Sequence, residues 1–293
     1  MYEQISANKR NTYILFAFFI VFVVALGYVL GELWEIGVFG PIIALIIAVI
    51  YILVSYYFSS EIVLTISGAK EVKRTEFPHL WHTVEGLAIA AGIPKPKPYI
   101  IEDTALNAFA TGRDPEHSVI VVTTGLLEKL NRIELEGVIA HEMSHIQNFD
   151  IRVMTIITVL LGVSVLLSDL ILRTLYLSEG RKSEGKGYAA LILIGFLLAL
   201  LTPLIAQIIK LSVSREREYL ADASGALLTR YPPGLAQALE KISKDKEPLE
   251  AANNATAHLY ISDPLKNNKK HWFVNLFQTH PDINDRIKRL REM

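Results

Sequence analysis

Two stretches without a charged residue constrain this chain more than any other feature. Tyr13–Gly31 and Ile36–Phe58 are each long enough, as helices, to cross about 30 Å of hydrocarbon. A third run, Val153–Leu172, is interrupted only by Asp169, and a fourth, Tyr188–Ile209, holds Pro203. Asp169 lies near the far end of its run, where a carboxylate reaches the interface. Pro203 reads as a kink, tolerated where neighbouring helices satisfy the freed carbonyl. Of 293 residues, 51% are hydrophobic, and that content sits in these two pairs of runs rather than in one soluble core. Lys9 and Arg10 before the first run give it the flank of a secretory signal. Its length and the second span that follows at once favour a retained membrane helix.

The loops give an orientation. Glu32 to Glu35, between the first two runs, is acidic. Lys70, Lys73 and Arg74 follow the second run, and Lys210, Arg215 and Arg217 follow the fourth. This asymmetry predicts a multi-pass protein of the cell membrane with both termini and the hydrophilic segments in the cytoplasm. Arg173–Gly187, with Arg173, Arg181, Lys182 and Lys186, runs against that rule. The chain contains no cysteine, so disulfides and thiolate metal sites are excluded. A net charge of −1 and the lack of a basic tract set nucleic acid aside as a partner.

Glu134–Asp150, ELEGVIAHEMSHIQNFD, carries the chemistry. His141-Glu142-Met143-Ser144-His145 is an H-E-x-x-H pattern, and on a helix its two histidines share one face one turn apart. Both imidazoles then reach one ion. Glu142 stands where a carboxylate can take a proton from a water activated by that ion. Leu135, Val138, Ile139 and Ile146 supply the helical apolar stripe that the geometry requires.

Around this helix the chain alternates short elements. Glu61–Ser67 alternates apolar and polar residues and predicts a strand. Thr75–Ile93 has helical spacing and ends at Gly92 and Pro94; His79 and His82 on it read as surface residues. Strands are predicted at Pro98–Glu102 and Ser118–Thr124, giving a small sheet just before the H-E-x-x-H helix. Between them, Asn107-Ala108-Phe109-Ala110 has two readings. It is either an edge that pairs with an extended peptide or a loop packed on the helix.

A catalytic zinc usually takes three protein ligands. Asp150, the nearest acid after the motif, reads as a cap for the third span. His145 lies eight residues before Val153, and Glu218 lies eight residues past Lys210. Two antiparallel spans would lift both to about 12 Å above the membrane ends. Glu218 is therefore favoured over Glu216 as third ligand, with a shift of one turn left open.

With these pieces together the chain resembles the HtpX-type membrane zinc metalloproteases, relatives of the CAAX-prenyl endopeptidases. The resemblance rests on the paired spans, Asn107–Gly112, His141–His145, Arg217-Glu-Tyr-Leu-Ala-Asp222, and His280-Pro281 followed by Arg286-Ile287. It implies one zinc ion per chain on His141, His145 and Glu218, with Glu142 as the catalytic base. It implies a supporting role for Asp222, and substrate backbone held by Asn107, Ala108 and Phe109. It also implies that His280 or Arg286 lies near the site, although His280 reads equally well as the start of a helix before Pro281. The expected architecture is α+β, mainly α. Helix pairs at 1–58 and 153–210 would frame a zincin-like protease domain built from 59–152 and 211–293. Polypeptides, above all misfolded membrane proteins, are the implied substrates, in quality control under stress and in contact with the lipid bilayer.

Three rivals fit less well. An intramembrane protease would bury its motif in an apolar span, whereas Arg132, Glu134, Glu136, Gln147, Asn148 and Asp150 flank this one. A metal transporter needs polar groups within its spans, and Asp169 is the sole ionisable residue there. A membrane chaperone with a structural zinc has no need of Glu142.

Overall fold

Glycines set how the N-terminal helices meet. The computed structural model describes residues 2–33, 35–160, 215–253, 256–266 and 281–293. Helix α1 (Tyr2–Leu33) and helix α2 (Phe39–Tyr57) cross where Gly27 and Gly31 face Gly40 and Ala44. A Cβ on Gly40 would lie 2.3 Å from the Gly27 carbonyl oxygen, and one on Gly27 would lie 2.2 Å from the Ala44 Cβ. Small residues four apart let two backbones touch, the means by which helices associate where lipid removes the hydrophobic drive. Ile42, Ile46, Ile50 and Leu53 remain exposed, an apolar face of the kind that a bilayer covers. Among the described residues, Ile5–Glu32 and Phe39–Tyr57 are long and apolar enough to cross a membrane.

The strand expected at Glu61–Ser67 is instead helix α3 (Ser59–Ile66). Ile62, Leu64 and Ile66 mimic a two-residue period, but the buried positions are Ser59, Val63, Leu64 and Ser67, which is helical spacing. Thr65 Oγ1 donates to the Glu61 carbonyl, four residues back. The predicted helix over Thr75–Ile93 is α4 (Pro78–Ala91), closed by Gly92 at φ 67°, the left-handed position that glycine fills without strain. His79 and His82 on it are exposed.

Among the described residues four strands make a mixed sheet: β1 (Lys70–Glu71), β2 (Lys97–Ile101), β3 (Ala108–Gly112) and β4 (Ser118–Thr123). The order is β1-β2-β4-β3. β2 and β4 run parallel, while β1 and β3 are antiparallel edges. β4 is buried on both faces. Ile120 and Val122 point to a core with Leu80 and Val84 of α4 and with Val138, Ile139 and Met143 of the H-E-x-x-H helix. Val119 and Val121 point to a second core holding Val63, Val153, Ile157 and Tyr260. Truncating one such residue to alanine costs about 2–5 kcal/mol.

After α5 (Thr124–Lys129) comes α6 (Arg132–Gln147), the H-E-x-x-H helix, and then α7 over residues 150–160. The chain is described again at α8 (Arg215–Thr229), α9 (Pro232–Lys244) and α10 (Ile283–Arg291). The third run is therefore helical through residue 160. The remainder of that run, the Arg173–Gly187 loop and the fourth run lie outside the described residues. The result is a mainly helical α+β fold with a small mixed sheet and two candidate membrane helices.

Candidate metal centre

Helix α6 is started by its own sequence. Asn131 Oδ1 accepts from the Glu134 N–H at 3.0 Å, and Glu134 Oε2 accepts from the Asn131 N–H at 2.8 Å, a capping box. From that start, His141 and His145 fall one turn apart, both buried. Their Nε2 atoms stand 3.2 Å apart.

Helix α8 brings the third group. Glu218, Asp222 and Gly225 fall four and then three residues apart, on one face of the helix. At Gly225 the two helices touch: a Cβ there would lie 2.9 Å from the His141 backbone nitrogen. Two turns back, Glu218 Oε1 lies 3.5 Å from His145 Nε2, and Oε2 lies 3.8 Å from His141 Nε2. Glu216 is exposed. The ligand atoms of His141, His145 and Glu218 all lie within 4.8 Å of one another. Donors about 2.0–2.1 Å from a tetrahedral ion stand roughly 3.4 Å apart, so the three observed edges match such a cage.

Each imidazole is held from behind by a carboxylate and a guanidinium. His141 Nδ1 lies 2.9 Å from Asp222 Oδ1. Arg286 of α10 grips Asp222 with two bonds, Nη2 to Oδ1 at 2.7 Å and Nε to Oδ2 at 2.8 Å, and its Nη1 donates to the Ile261 carbonyl. His145 Nδ1 lies 2.9 Å from Asp150 Oδ2, while Arg217 pairs with Asp150 Oδ1. With both Nδ1 atoms turned outward to carboxylates, both Nε2 atoms face Glu218, the orientation in which neutral imidazoles offer their lone pairs to a metal. Counting Glu142, Asp150, Glu218 and Asp222 against Arg217 and Arg286 leaves two negative charges with both imidazoles neutral. One divalent cation balances them, so the residues present fit a metal ion.

The electrostatics follow from burial and neighbours. Burial pushes the Glu142 carboxyl up and Glu218 adds to that, with His141, His145 and Arg286 opposing. Burial pushes His145 down, but Asp150, Glu218 and Glu142 outweigh it and raise the metal-free imidazole to about 9. Burial also pushes Asp222 up, yet Arg286 and His141 prevail and hold it near 2.

Asp150 does not serve as the cap expected of it. Phe149, at φ 59°, turns the chain through the left-handed region between α6 and α7, and this returns Asp150 to the histidine five residues before it. Such a φ costs a bulky residue about 1 kcal/mol or more. Asn8 of α1 also meets Asp150, its Nδ2 lying 2.7 Å from Oδ1. Asn8, Asp150 and Arg217 were not among the residues expected at the site, and the sequence around Asn8 carries no pattern that marks it. Arg286 lies at the site. His280 lies outside the described residues.

Asn107–Ala110 enters the sheet as its edge strand, yet all of β3 is buried. The outward carbonyl of Ala108 accepts from the Ile261 N–H at 2.9 Å. Phe109 stacks edge-on against Tyr260 at 4.9 Å between ring centroids, and Asn107 Nδ2 donates to the Ser262 carbonyl. Residues 260–262 thus run beside the first half of the edge.

Peptidases that bind their ion through H-E-x-x-H and a later glutamate on a second helix are the class into which this arrangement falls. The chain belongs to peptidase family M48, whose profile matches residues 74–293. Proteins named Protease HtpX homolog from Dictyoglomus thermophilum, Tropheryma whipplei and Listeria monocytogenes are 47%, 44% and 44% identical to it. Each alignment covers 100% of this chain and, in that order, 94%, 98% and 100% of the relative. The crystal structure of S. mikatae Ste24p superposes with a TM-score of 0.51 at 21% identity, over 99% of this chain and 67% of that one, and so shares its fold. The chain is a membrane metalloendopeptidase of the HtpX type, and polypeptides are its substrates.

Proposed function

We propose that the chain is a zinc endopeptidase that cleaves misfolded or damaged membrane proteins, and cytosolic proteins with them, in stress-related quality control. The observation that carries the chemical part is the buried triangle of His141, His145 and Glu218 behind which Asp222 and Asp150 fix both imidazoles. Two imidazoles and one carboxylate suit zinc, a borderline ion. Zinc held there supplies Lewis acidity toward a scissile carbonyl and acidifies a water molecule. Glu142 takes the proton of the attacking water and delivers it to the leaving amine. Its raised affinity for protons brings it closer to working pH, which favours both transfers. The nucleophile is water, so no serine or threonine takes part.

Asn107 precedes, and Ala108 and Phe109 begin, the edge strand along which a substrate backbone would lie. Because Ile261 takes the outward carbonyl of Ala108 and Thr155 Oγ1 takes the Gly112 N–H, Ala110 is the position at which an incoming strand would meet β3. Four membrane spans, with the domain drawn from 59–152 and 211–293 and both termini cytoplasmic, would hold this site on the order of ten ångströms from the bilayer surface. That position favours membrane-protein loops as substrates. Cysteines placed near Lys70 and Lys244 of this cysteine-free chain should resist an impermeant thiol reagent in intact cells, and cysteines in 179–186 should label. The reverse pattern overturns the topology.

The metal assignment is tested on purified protein by zinc content and casein cleavage. Wild type should hold one zinc per chain. Glu218→Gln should lose zinc and cleavage together, whereas Glu216→Gln should match wild type. Full zinc content in Glu218→Gln would refute the ligand set.

A further inference from the structure

Asn8 lies in the polar foot of α1, one turn before the apolar run begins, yet it is buried, 3% exposed. Its single side-chain nitrogen donates twice, to Asp150 Oδ1 at 2.7 Å and to the Asn148 carbonyl at 2.8 Å. It thus closes on the left-handed turn between α6 and α7. Asp150, also buried, has Asn8 and Arg217 on one oxygen and His145 Nδ1 on the other. A carboxylate so held cannot rotate, and its free oxygen stays on the imidazole. Elements from three places in the sequence therefore meet on one group: α1, the end of α6 and the first turn of α8.

We propose that Asn8 is a positioning residue of the metal centre, acting through Asp150 to orient His145, so that the first membrane helix forms part of the site. The proposal rests on the reading of His145 as a metal ligand. Its consequence is that the apolar hairpin does more than anchor the domain: the ligand geometry depends on α1 being seated. Groups that orient a metal-binding histidine typically change metal affinity or activity by about 10–100-fold when lost. An asparagine that only docks one helix on another would leave the metal alone.

The test uses the full-length protein in detergent. Zinc affinity is read by chelator competition, and ligand geometry by the visible spectrum of the cobalt-substituted protein. Asn8→Leu keeps the branched shape and removes both donors. It should weaken zinc binding about tenfold or more and shift the cobalt bands. In an Asp150→Asn background the same substitution should add nothing, because residues acting through one another are not additive. Lys9→Ala, which removes an ammonium 4.8 Å above the Phe149 ring, should leave both readouts unchanged. If Asn8→Leu does not fold, Asn8→Ala is judged by the same criteria.

Unchanged affinity and spectrum in the Asn8 variants overturn the proposal, as does an equal loss in both backgrounds. A wild-type chain that takes up no zinc removes the metal reading itself and the proposal with it. Wild-type uptake with unaffected Asn8 variants removes the proposal alone.

Discussion

Asp222 Oδ1 lies 2.9 Å from His141 Nδ1, although the two residues sit on different helices and 81 positions apart in the chain (222 − 141). The contact exists because α8 lays Glu218, Asp222 and Gly225 along α6. One helix face thereby supplies a ligand, the group that orients another ligand, and the gap that lets both approach.

Arg286 completes that contact from α10, fully buried against Asp222. Arg286→Lys keeps the charge but loses the two-pronged grip. It should fold while zinc affinity and kcat/KM fall about 10–100-fold. Arg286→Ala leaves a buried carboxylate without its cation and should cost about 3–5 kcal/mol, read as a lowered melting temperature. Wild-type zinc affinity in Arg286→Lys would show that Asp222 needs no such hold.

Gly225→Ala tests the helix contact. The added methyl would lie 2.9 Å from a backbone atom of α6, so α8 must move. A shift of that kind typically costs about 1–3 kcal/mol and would pull Glu218 and Asp222 off the histidines. The expected outcome is a less stable protein with depleted zinc. Stability and zinc content equal to wild type would place the two helices farther apart than described.

Metal uptake should depend on pH with a definite sign. The metal-free His145 titrates at about 9, so near neutrality it carries a proton that a metal must expel. Apparent zinc affinity should rise about tenfold per pH unit from pH 7 toward 9 and level off above, and fall on acidification. Chelator competition across that range, with proton release followed in weak buffer, checks it. A flat profile would mean that the imidazole is already neutral at pH 7.

Much of this site is legible in the sequence because it follows from helical period. H-E-x-x-H places two histidines on one face wherever a helix forms. The predicted antiparallel runs that point to Glu218 lie largely outside the described residues, and what brings Glu218 to the histidines is α8 packed on α6. Other parts need tertiary structure. Asp150 reaches His145 only through a left-handed turn at Phe149, and no glycine advertises that turn. Asn8 is one polar residue near the start of a membrane run, and its partner lies 142 positions away. Glu61–Ser67 misleads because a short apolar stretch can satisfy both periods; the helical one prevails once α2 runs almost directly into α3. The edge strand is only one of two readings that Asn107–Ala110 allows, and nothing in the sequence marks the segment around Ile261 that covers its first half.

The most direct test of the central claim is Glu142→Gln, because it changes the proposed base and spares the three ligands. Purified wild type and variant are compared for zinc per chain and for casein cleavage. Each should hold one zinc, and wild type alone should cleave casein. Substantial cleavage by zinc-replete Glu142→Gln would contradict it.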